Sequence, residues 1–415
     1  MRLFVALGPG DIVGAARSRL AGKAIPETSL AFSEQLFALC ETVKIPTLAI
    51  SSNPRHDQLQ DGILSIENRP KAKWGKAGVL FHIAAVAYAI YLAVRARRFE
   101  ADLAIIDSGT THYFALTAFR LLGVPVAVNL HNVLWPAGFP PRDRVQRIIR
   151  LLNGWFFRFV ASGAVGVSPE CERQVRNEAH DRIPFFQYRC QFSTDGFKQS
   201  SAYEDGPFHV VSAGRAEENK GTLDIAKIAE RLNHQSRVPV IFHVCGDGGA
   251  LPGLRSIVEA SGLQNTVIAH GRIERNQLLE IYSNAHALIA ATKSTFGEGM
   301  PQACAEAMLS GLPVVTSQVT NTFDVIGPAT LRAETDNIDS YANAILSLIT
   351  DYDMRERLRA ACVPQSMQFL DRSQSYPAAV NRLICRLFPS HPTITNYDDL
   401  FFHNGKVLWP QQLVL

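Results

Sequence analysis

The stretch Ser294–Ser317, STFGEGMPQACAEAMLSGLPVVTS, runs from a loop through a helix into a strand. Gly297 and Gly299 bound the loop, and Pro301 suits the first helical position. An alanine-rich segment follows, and the chain leaves it through Gly311 and Pro313 into a β-branched run. Two carboxylates stand eight positions apart across this passage, Glu298 in the loop and Glu306 a turn or so inside the helix. Both could favour the positive end of the helix. Ala305, Ala307 and Met308 argue otherwise for Glu306, because they surround it with residues expected to be buried. A carboxylate accepts hydrogen bonds from neighbouring hydroxyls, so two of them side by side suit a polyol.

The same alternation continues on either side. In the first half RLFVAL, IPTLAIS, DLAIID, VPVAVNL and AVGVS read as strands, separated by helical segments such as FSEQLFALCETV and HYFALTAFRLLG. Strands buried on both faces and joined through helices imply a parallel, doubly wound sheet. The polar, Gly- and Ser-rich run TDGFKQSSAYEDGP, Thr194–Pro207, interrupts the rhythm, which restarts with FHVVSAG, VPVIFHVCG, NTVIAHG, HALIAAT and LPVVTS. The helices between them are expected near Lys220, Leu251, Glu274 and Pro301, and from about Asn337 the pattern is wholly helical. The expected division is a Rossmann-like domain over 1–193, a linker over 194–207 and a second Rossmann-like domain over 208–363. A helix over 364–389 would cross back to the first domain, and the 390–415 tail has no period. A chain of 415 residues is comfortable for two such domains.

Composition sets limits on partners. A net charge of +3 is too small to argue for nucleic acid. The seven cysteines form no CxxC pair and no zinc-spaced cluster, which points to reduced thiols and a cytoplasmic setting. MRLFVALGPGD reads as a first strand rather than a signal peptide. The apolar segment VLFHIAAVAYAIYLAV, Val79–Val94, flanked by Lys76 and Arg95, falls short of the roughly 18–20 residues of a span and carries His82. A buried helix is expected there, with contact at a membrane interface as the alternative.

Three loops after strands in the second half carry chemistry, and in open parallel sheets ligands gather beyond strand carboxyl ends. After FHVVSAG come Gly214 and Arg215, then Lys220-Gly221 at a helix start. Two cations beside free amides suit a diphosphate, although an isolated pair of this spacing is often only solvated. After VPVIFHVCG comes GDGG, Gly246–Gly249, where backbone can approach a ligand closely. The third loop is the opening stretch.

With Gly214-Arg215…Lys220-Gly221, CGDGG, HGRI…LLEIYSNAHALI and Glu298-x7-Glu306 followed by AMLSGLPVV, the chain resembles the retaining GT-B glycosyltransferases of family 4, the glycosyl transferases group 1. The resemblance covers about Phe208–Asn321, with looser agreement earlier through NLHNVLWP. It implies two Rossmann-like domains facing each other across a cleft, with C-terminal helices; the first would bind the acceptor and the second a nucleoside-diphosphate sugar. Glu306 would take the ribose hydroxyls, while Arg215 and Lys220 would hold the diphosphate and steady the leaving group. Glu298 with the amides of Gly299 and Met300 would contact the donor sugar. Gly214 and Gly246 would line the site, and Ile273 would lie near the base. His131, after VPVAVNL, would face the sugar across the cleft, and the loop of Gly8, Gly10 and Asp11 would meet the acceptor. Bacterial cell-surface polysaccharide or glycolipid assembly is the setting the resemblance implies.

Arg144, Arg147 and Arg150 recur about three apart ahead of Trp155, Phe156, Phe157 and Phe159. That is a solvated basic face over a core aromatic cluster, or a surface for peripheral membrane contact if the acceptor is lipid-linked. DYD, Asp351–Asp353, resembles a metal motif but sits between helices, where capping explains it. No metal or other cofactor is expected. Three rivals stand beside transfer: a nucleotide-sugar epimerase, an inactive nucleotide-sugar-binding module, and a dinucleotide-dependent oxidoreductase. The last is opposed by the absence of GxGxxG after a first strand.

Overall fold

The computed structural model of the chain describes residues 1–22, 28–72, 78–391, 397, 402–403 and 406–407. Lys76 and most of the 390–415 tail lie outside the described residues. The first half comprises β1 (Leu3–Leu7), α1 (Ile12–Leu20), α2 (Thr28–Thr42), β2 (Thr47–Ser51), β3 (Asp57–Asp61), β4 (Leu64–Asn68), α3 (Val79–Arg98) and β5 (Leu103–Asp107). It continues through α4 (Thr117–Leu121), β6 (Val126–Leu130), α5 (Arg144–Phe159), β7 (Gly163–Gly166), α6 (Pro169–Ala179) and β8 (Phe185–Gln187). These strands form one sheet in the order β3-β4-β2-β1-β5-β6-β7-β8, parallel except that β3 runs against β4. β1, β2, β5 and β6 are buried throughout because helices cover both faces.

The β3–β4 hairpin is absent from the strands expected above. Its signal is Asp61-Gly62, a turn pair whose Gly62 takes φ +54°, between polar–apolar alternations. The helix expected over Val79–Val94 is α3, which buries Ala84, Ala85, Tyr88, Ala89 and Leu92 on the sheet.

The second half comprises β9 (Phe208–Ala213), α7 (Thr222–Gln235), β10 (Val240–Cys245), α8 (Leu251–Ala260), β11 (Val267–Gly271), α9 (Arg275–Ser283) and β12 (Ala287–Ala290). It continues through α10 (Gln302–Leu309), β13 (Val314–Thr316), α11 (Phe323–Ile326), β14 (Thr330–Arg332), α12 (Ile338–Thr350) and α13 (Tyr352–Ser366). The sheet order β11-β10-β9-β12-β13-β14 is parallel throughout. Its order reverses at β9, as the first sheet's does at β1, and loops leaving such points open onto a crevice.

A last helix, α14 (Tyr376–Leu387), packs on the first sheet, with Val380, Leu383 and Ile384 in its core. Two segments therefore run between the sheets, and they pair with each other. The Arg189 amide donates to the Gln374 carbonyl at 2.7 Å, and the Phe192 amide donates to the Phe369 carbonyl at 2.9 Å.

A diagonal of histidines crosses one face of the second sheet. His209 Nδ1 lies 2.9 Å from His243 Nε2, and His243 Nδ1 lies 3.0 Å from His270 Nε2. The His209 amide donates to His286 Nδ1 at 2.9 Å. Burial pushes all four imidazoles down, His243 and His286 to about 4. Because their folded values lie below the ordinary 6.5, the unfolded chain binds more protons between about pH 4 and 6.5. Stability present above that window should fall as pH drops through it. Thermal melts from pH 7.5 to 5 should show the fall, and His243→Phe should make it shallower; an unchanged slope in that variant would remove the histidines from the effect.

Candidate functional site

The loops leaving β9, β10 and β11 are stitched to one another. The Gly214 amide donates to the Cys245 carbonyl at 2.9 Å, and the Gly246 amide donates to the Gly271 carbonyl at 2.8 Å. Gly246 has φ +138°, and a Cβ there would run into the Gly214 carbonyl. These glycines thus serve the close approach of two loops. Arg215 stands exposed on that platform and forms no ion pair among the described residues. Lys220 closes the short turn before α7 and reaches the carboxylate of Glu298, with its ammonium 4.6 Å above the Phe296 ring.

Glu298 is buried. Besides Lys220, its carboxylate accepts from the Thr292 hydroxyl at 3.2 Å, and its backbone carbonyl accepts from the Asn321 amide nitrogen. Gly299 is buried against the first domain, where a Cβ would overlap the His131 carbonyl oxygen and Val167. A Cβ on Gly297 would lie 3.2 Å from the Val133 carbonyl. The glycines that bound this loop therefore let it dock on the loop after β6. Met300 and Ile273 are both half-buried, packed against the core beneath α9 and α10.

His131 lies in this junction with both ring nitrogens engaged by its own domain. Nε2 is 3.2 Å from Asp107 and 3.0 Å from the Asn129 amide, and Nδ1 is 3.0 Å from the Tyr188 hydroxyl. Burial holds the Tyr188 phenol well above its ordinary value, so it remains protonated. Asp107 at the end of β5 and His131 just beyond β6 come together because those strands are neighbours. Asp11 is engaged elsewhere: it caps α1 through the Gly14 amide at 2.8 Å and accepts from the Asn68 amide at 2.7 Å. With Gly8 and Gly10 it occupies the exit of β1.

Glu306 sits in α10, with Pro301 at the N-cap rather than inside the helix. Its carboxylate is buried and ion-paired with Arg275, and it accepts from the Tyr282 hydroxyl at 2.9 Å. Arg275 is itself buried, 4.9 Å beneath the Phe197 ring. Burial, and then the neighbouring Glu306 charge, raise the Tyr282 phenol well above its ordinary value. Sequence reasoning singled out neither partner. Their signal is the stripe Arg275, Leu278, Leu279, Tyr282 along one face of α9, where a cation in an apolar row requires a buried anion. Asp107, Tyr188, Thr292 and Asn321 were likewise legible only once the strands were side by side.

Among the described residues, no group of three or more His, Cys, Asp or Glu is arranged to hold a metal ion. Asp351 caps α13, accepting from the Met354 amide at 2.9 Å.

Residues 193–362 match the family model for glycosyl transferases group 1. An alpha-D-kanosaminyltransferase of Streptomyces kanamyceticus is 23% identical over 67% of this chain and 75% of its own. A sucrose-phosphate synthase structure from Thermosynechococcus elongatus superposes with a TM-score of 0.69 at 13% identity, covering 94% of this chain and 100% of that one. An Anabaena protein solved in complex with UDP superposes with a TM-score of 0.61 at 17% identity, over 94% and 100% of the two chains.

Breaking one side of a buried ion pair leaves the other charge without compensation, which typically costs about 3–5 kcal/mol. Arg275→Ala should lose stability on that scale in urea unfolding, because Glu306 would remain buried. A loss well under about 1 kcal/mol would show that water reaches the carboxylate and that the pair is a surface contact.

Proposed function

We propose that this chain, whose residues 193–362 match the glycosyl transferases group 1 model and whose two parallel α/β sheets have the GT-B architecture, moves a sugar from a nucleoside-diphosphate sugar to an acceptor hydroxyl with retention of configuration. The observation that carries the donor class is the Lys220–Glu298 pair beside the unpaired Arg215. Lys220 and Glu298 neutralise each other. A donor offers a diphosphate for the cation and sugar hydroxyls for the carboxylate, so binding exchanges one ion pair for two charge-assisted contacts. Neither a bare anion nor a bare sugar satisfies both groups.

In this reading Arg215 and Lys220 hold the diphosphate, Glu298 with the Gly299 and Met300 amides holds the sugar, and Gly214 and Gly246 give the backbone approach. Ile273 lies toward the base. Glu306, held by Arg275 and Tyr282, has lone pairs left for ribose hydroxyls. The UDP in the Anabaena neighbour supports a nucleoside diphosphate as the ligand class. His131, whose backbone carbonyl abuts Gly299, is the first-domain residue assigned to the sugar in this reading. The Gly8–Asp11 loop at the exit of β1 is offered to the acceptor.

Negative charge grows on the departing diphosphate as the glycosidic bond breaks, and Arg215 and Lys220 are aimed at it. A donor phosphate oxygen takes the proton of the acceptor hydroxyl attacking on the same face. No metal is needed where two cations supply the counter-charge. The acceptor is a sugar or a lipid-linked sugar, and the enzyme works in the cytoplasm, peripherally at the inner face of a membrane, in cell-surface polysaccharide or glycolipid assembly. Seven free cysteines accord with that compartment.

Incubation with a panel of nucleotide-sugars, followed by nucleoside diphosphate release and by NMR of the product's anomeric configuration, tests the reading. Retention is expected, and inversion would overturn the same-face mechanism. Arg215→Ala and Lys220→Ala should each lower kcat by about 10²–10³, and Arg215→Lys should rescue only in part. A raised KM at unchanged kcat would reduce the pair to ground-state binding. Turnover should be equal with EDTA and with added magnesium; strict metal dependence would refute the counter-charge argument. Gly299→Ala should lower turnover by about 10² through misplacement of the loop on His131, and full activity would free that contact of any role.

A further inference from the structure

The outer layer of the first domain is apolar where it should be wetted. The α5 helix buries Gly154, Phe156 and Phe157, and presents Val145, Ile148, Leu151, Leu152, Trp155 and Phe159 outward. Leu151 is 74% exposed and Trp155 48%. Their spacing makes a single stripe along the helix. On the same side of the sheet, α3 turns Leu80, Ile83 and Ile90 outward, and Leu121 at the end of α4 is 81% exposed. The three helices form one layer, because Leu92 of α3, Phe119 of α4 and Phe156 of α5 share the core cluster beneath them. Scattered exposed apolar residues are ordinary, but a run of them across neighbouring helices marks an interaction surface.

The charges on this layer have one sign. None of α3, α4 and α5 contains an acidic residue, while they carry Arg95, Arg97, Arg98, Arg120, Arg144, Arg147, Arg150 and Arg158. Arg95 is paired with Glu67 and Arg150 with Glu178. Arg97, Arg98, Arg120, Arg144 and Arg147 are exposed and form no ion pair among the described residues. Apolar side chains flanked by unpaired cations, with Trp155 and Phe159 among them, match the headgroup boundary of an anionic bilayer. Although α3 has the length and apolar composition to cross a membrane, its inner face is buried on the sheet, so it lies along a surface. The face also adjoins the site. Between α5 and the loop after His131 a cleft is lined by Leu134, Trp135, Ile149, Arg150 and Asn153, with Arg150 4.1 Å over the Trp135 ring.

We propose that the outward face of α3, α4 and α5 docks the enzyme on an anionic membrane surface, with the stripe of α5 entering the headgroup region and the cleft at Trp135 opening toward it. The inference rests on the peripheral-membrane part of the proposed function and assigns that contact a surface.

Flotation of the full chain with phosphatidylcholine vesicles, with and without phosphatidylglycerol, tests it. The protein should float with the anionic vesicles, with a blue shift of tryptophan emission that Trp155→Phe diminishes. Ile148→Asp combined with Leu151→Asp should lower partitioning at least about tenfold, as expected from withdrawing two apolar side chains. Arg144→Glu combined with Arg147→Glu should abolish the preference for phosphatidylglycerol and its salt sensitivity. These positions are exposed, so unchanged circular dichroism is expected and is the control for folding. If the wild type floats and both double variants float equally, another surface docks and this proposal falls while the peripheral reading stands. A wild type that ignores every vesicle and forms a dimer broken by the same substitutions would assign the face to a second copy. A monomer that ignores every vesicle would overturn both the docking surface and the peripheral reading, leaving nucleoside diphosphate release to test sugar transfer by itself.

Discussion

Lys220 and Glu298 neutralise each other at the junction of the two domains, and much of the architecture follows from holding them there. A buried carboxylate requires a partner, and Lys220 reaches it only because β9 and β12 are neighbours in the second sheet. The loop bearing Glu298 has no regular structure of its own. It is fixed by Thr292 and Asn321 on its own domain and by contact of Gly297 and Gly299 with the loop after β6. The opposed sheets thus meet at a point where backbone touches backbone, and a side chain at Gly299 would separate them.

Much of this was legible in the chain. Continuous apolar runs alternating with period-3.6 helical segments located most of the parallel strands, because strands buried on both faces must be nearly continuous in apolar residues, whereas the short β8 and β14 gave no such run. The placement of Arg215, Lys220 and Glu298 beyond strand ends followed from the same pattern together with the family resemblance. What escaped reading was pairing across distance. Arg275 is visible as a cation in an apolar stripe, yet nothing local says that its anion is Glu306, thirty-one positions on. The engagement of both His131 nitrogens with Asp107, Asn129 and Tyr188 depends on strand order, which sequence periodicity does not encode. The β3–β4 hairpin escaped because polar and apolar residues alternate along both strands, with β3 at the sheet edge and burying none of its residues fully.

The two glutamates of the opening stretch, alike in sequence, live in different environments. Glu298 is held by a flexible lysine and one hydroxyl, an arrangement that a ligand can exchange. Glu306 is clamped by a guanidinium and a phenol, both buried, which fixes its direction and leaves lone pairs to share. A site that binds a two-part ligand benefits from this difference, since one carboxylate can change partners while the other sets register.

A crystal structure with a bound nucleoside diphosphate tests this account most directly. The account predicts the diphosphate against Arg215 and Lys220, the Lys220–Glu298 contact exchanged for phosphate, and the ribose hydroxyls on Glu306 with Arg275 still in place. A nucleotide bound away from these loops, or bound there with Lys220 still on Glu298, would contradict it.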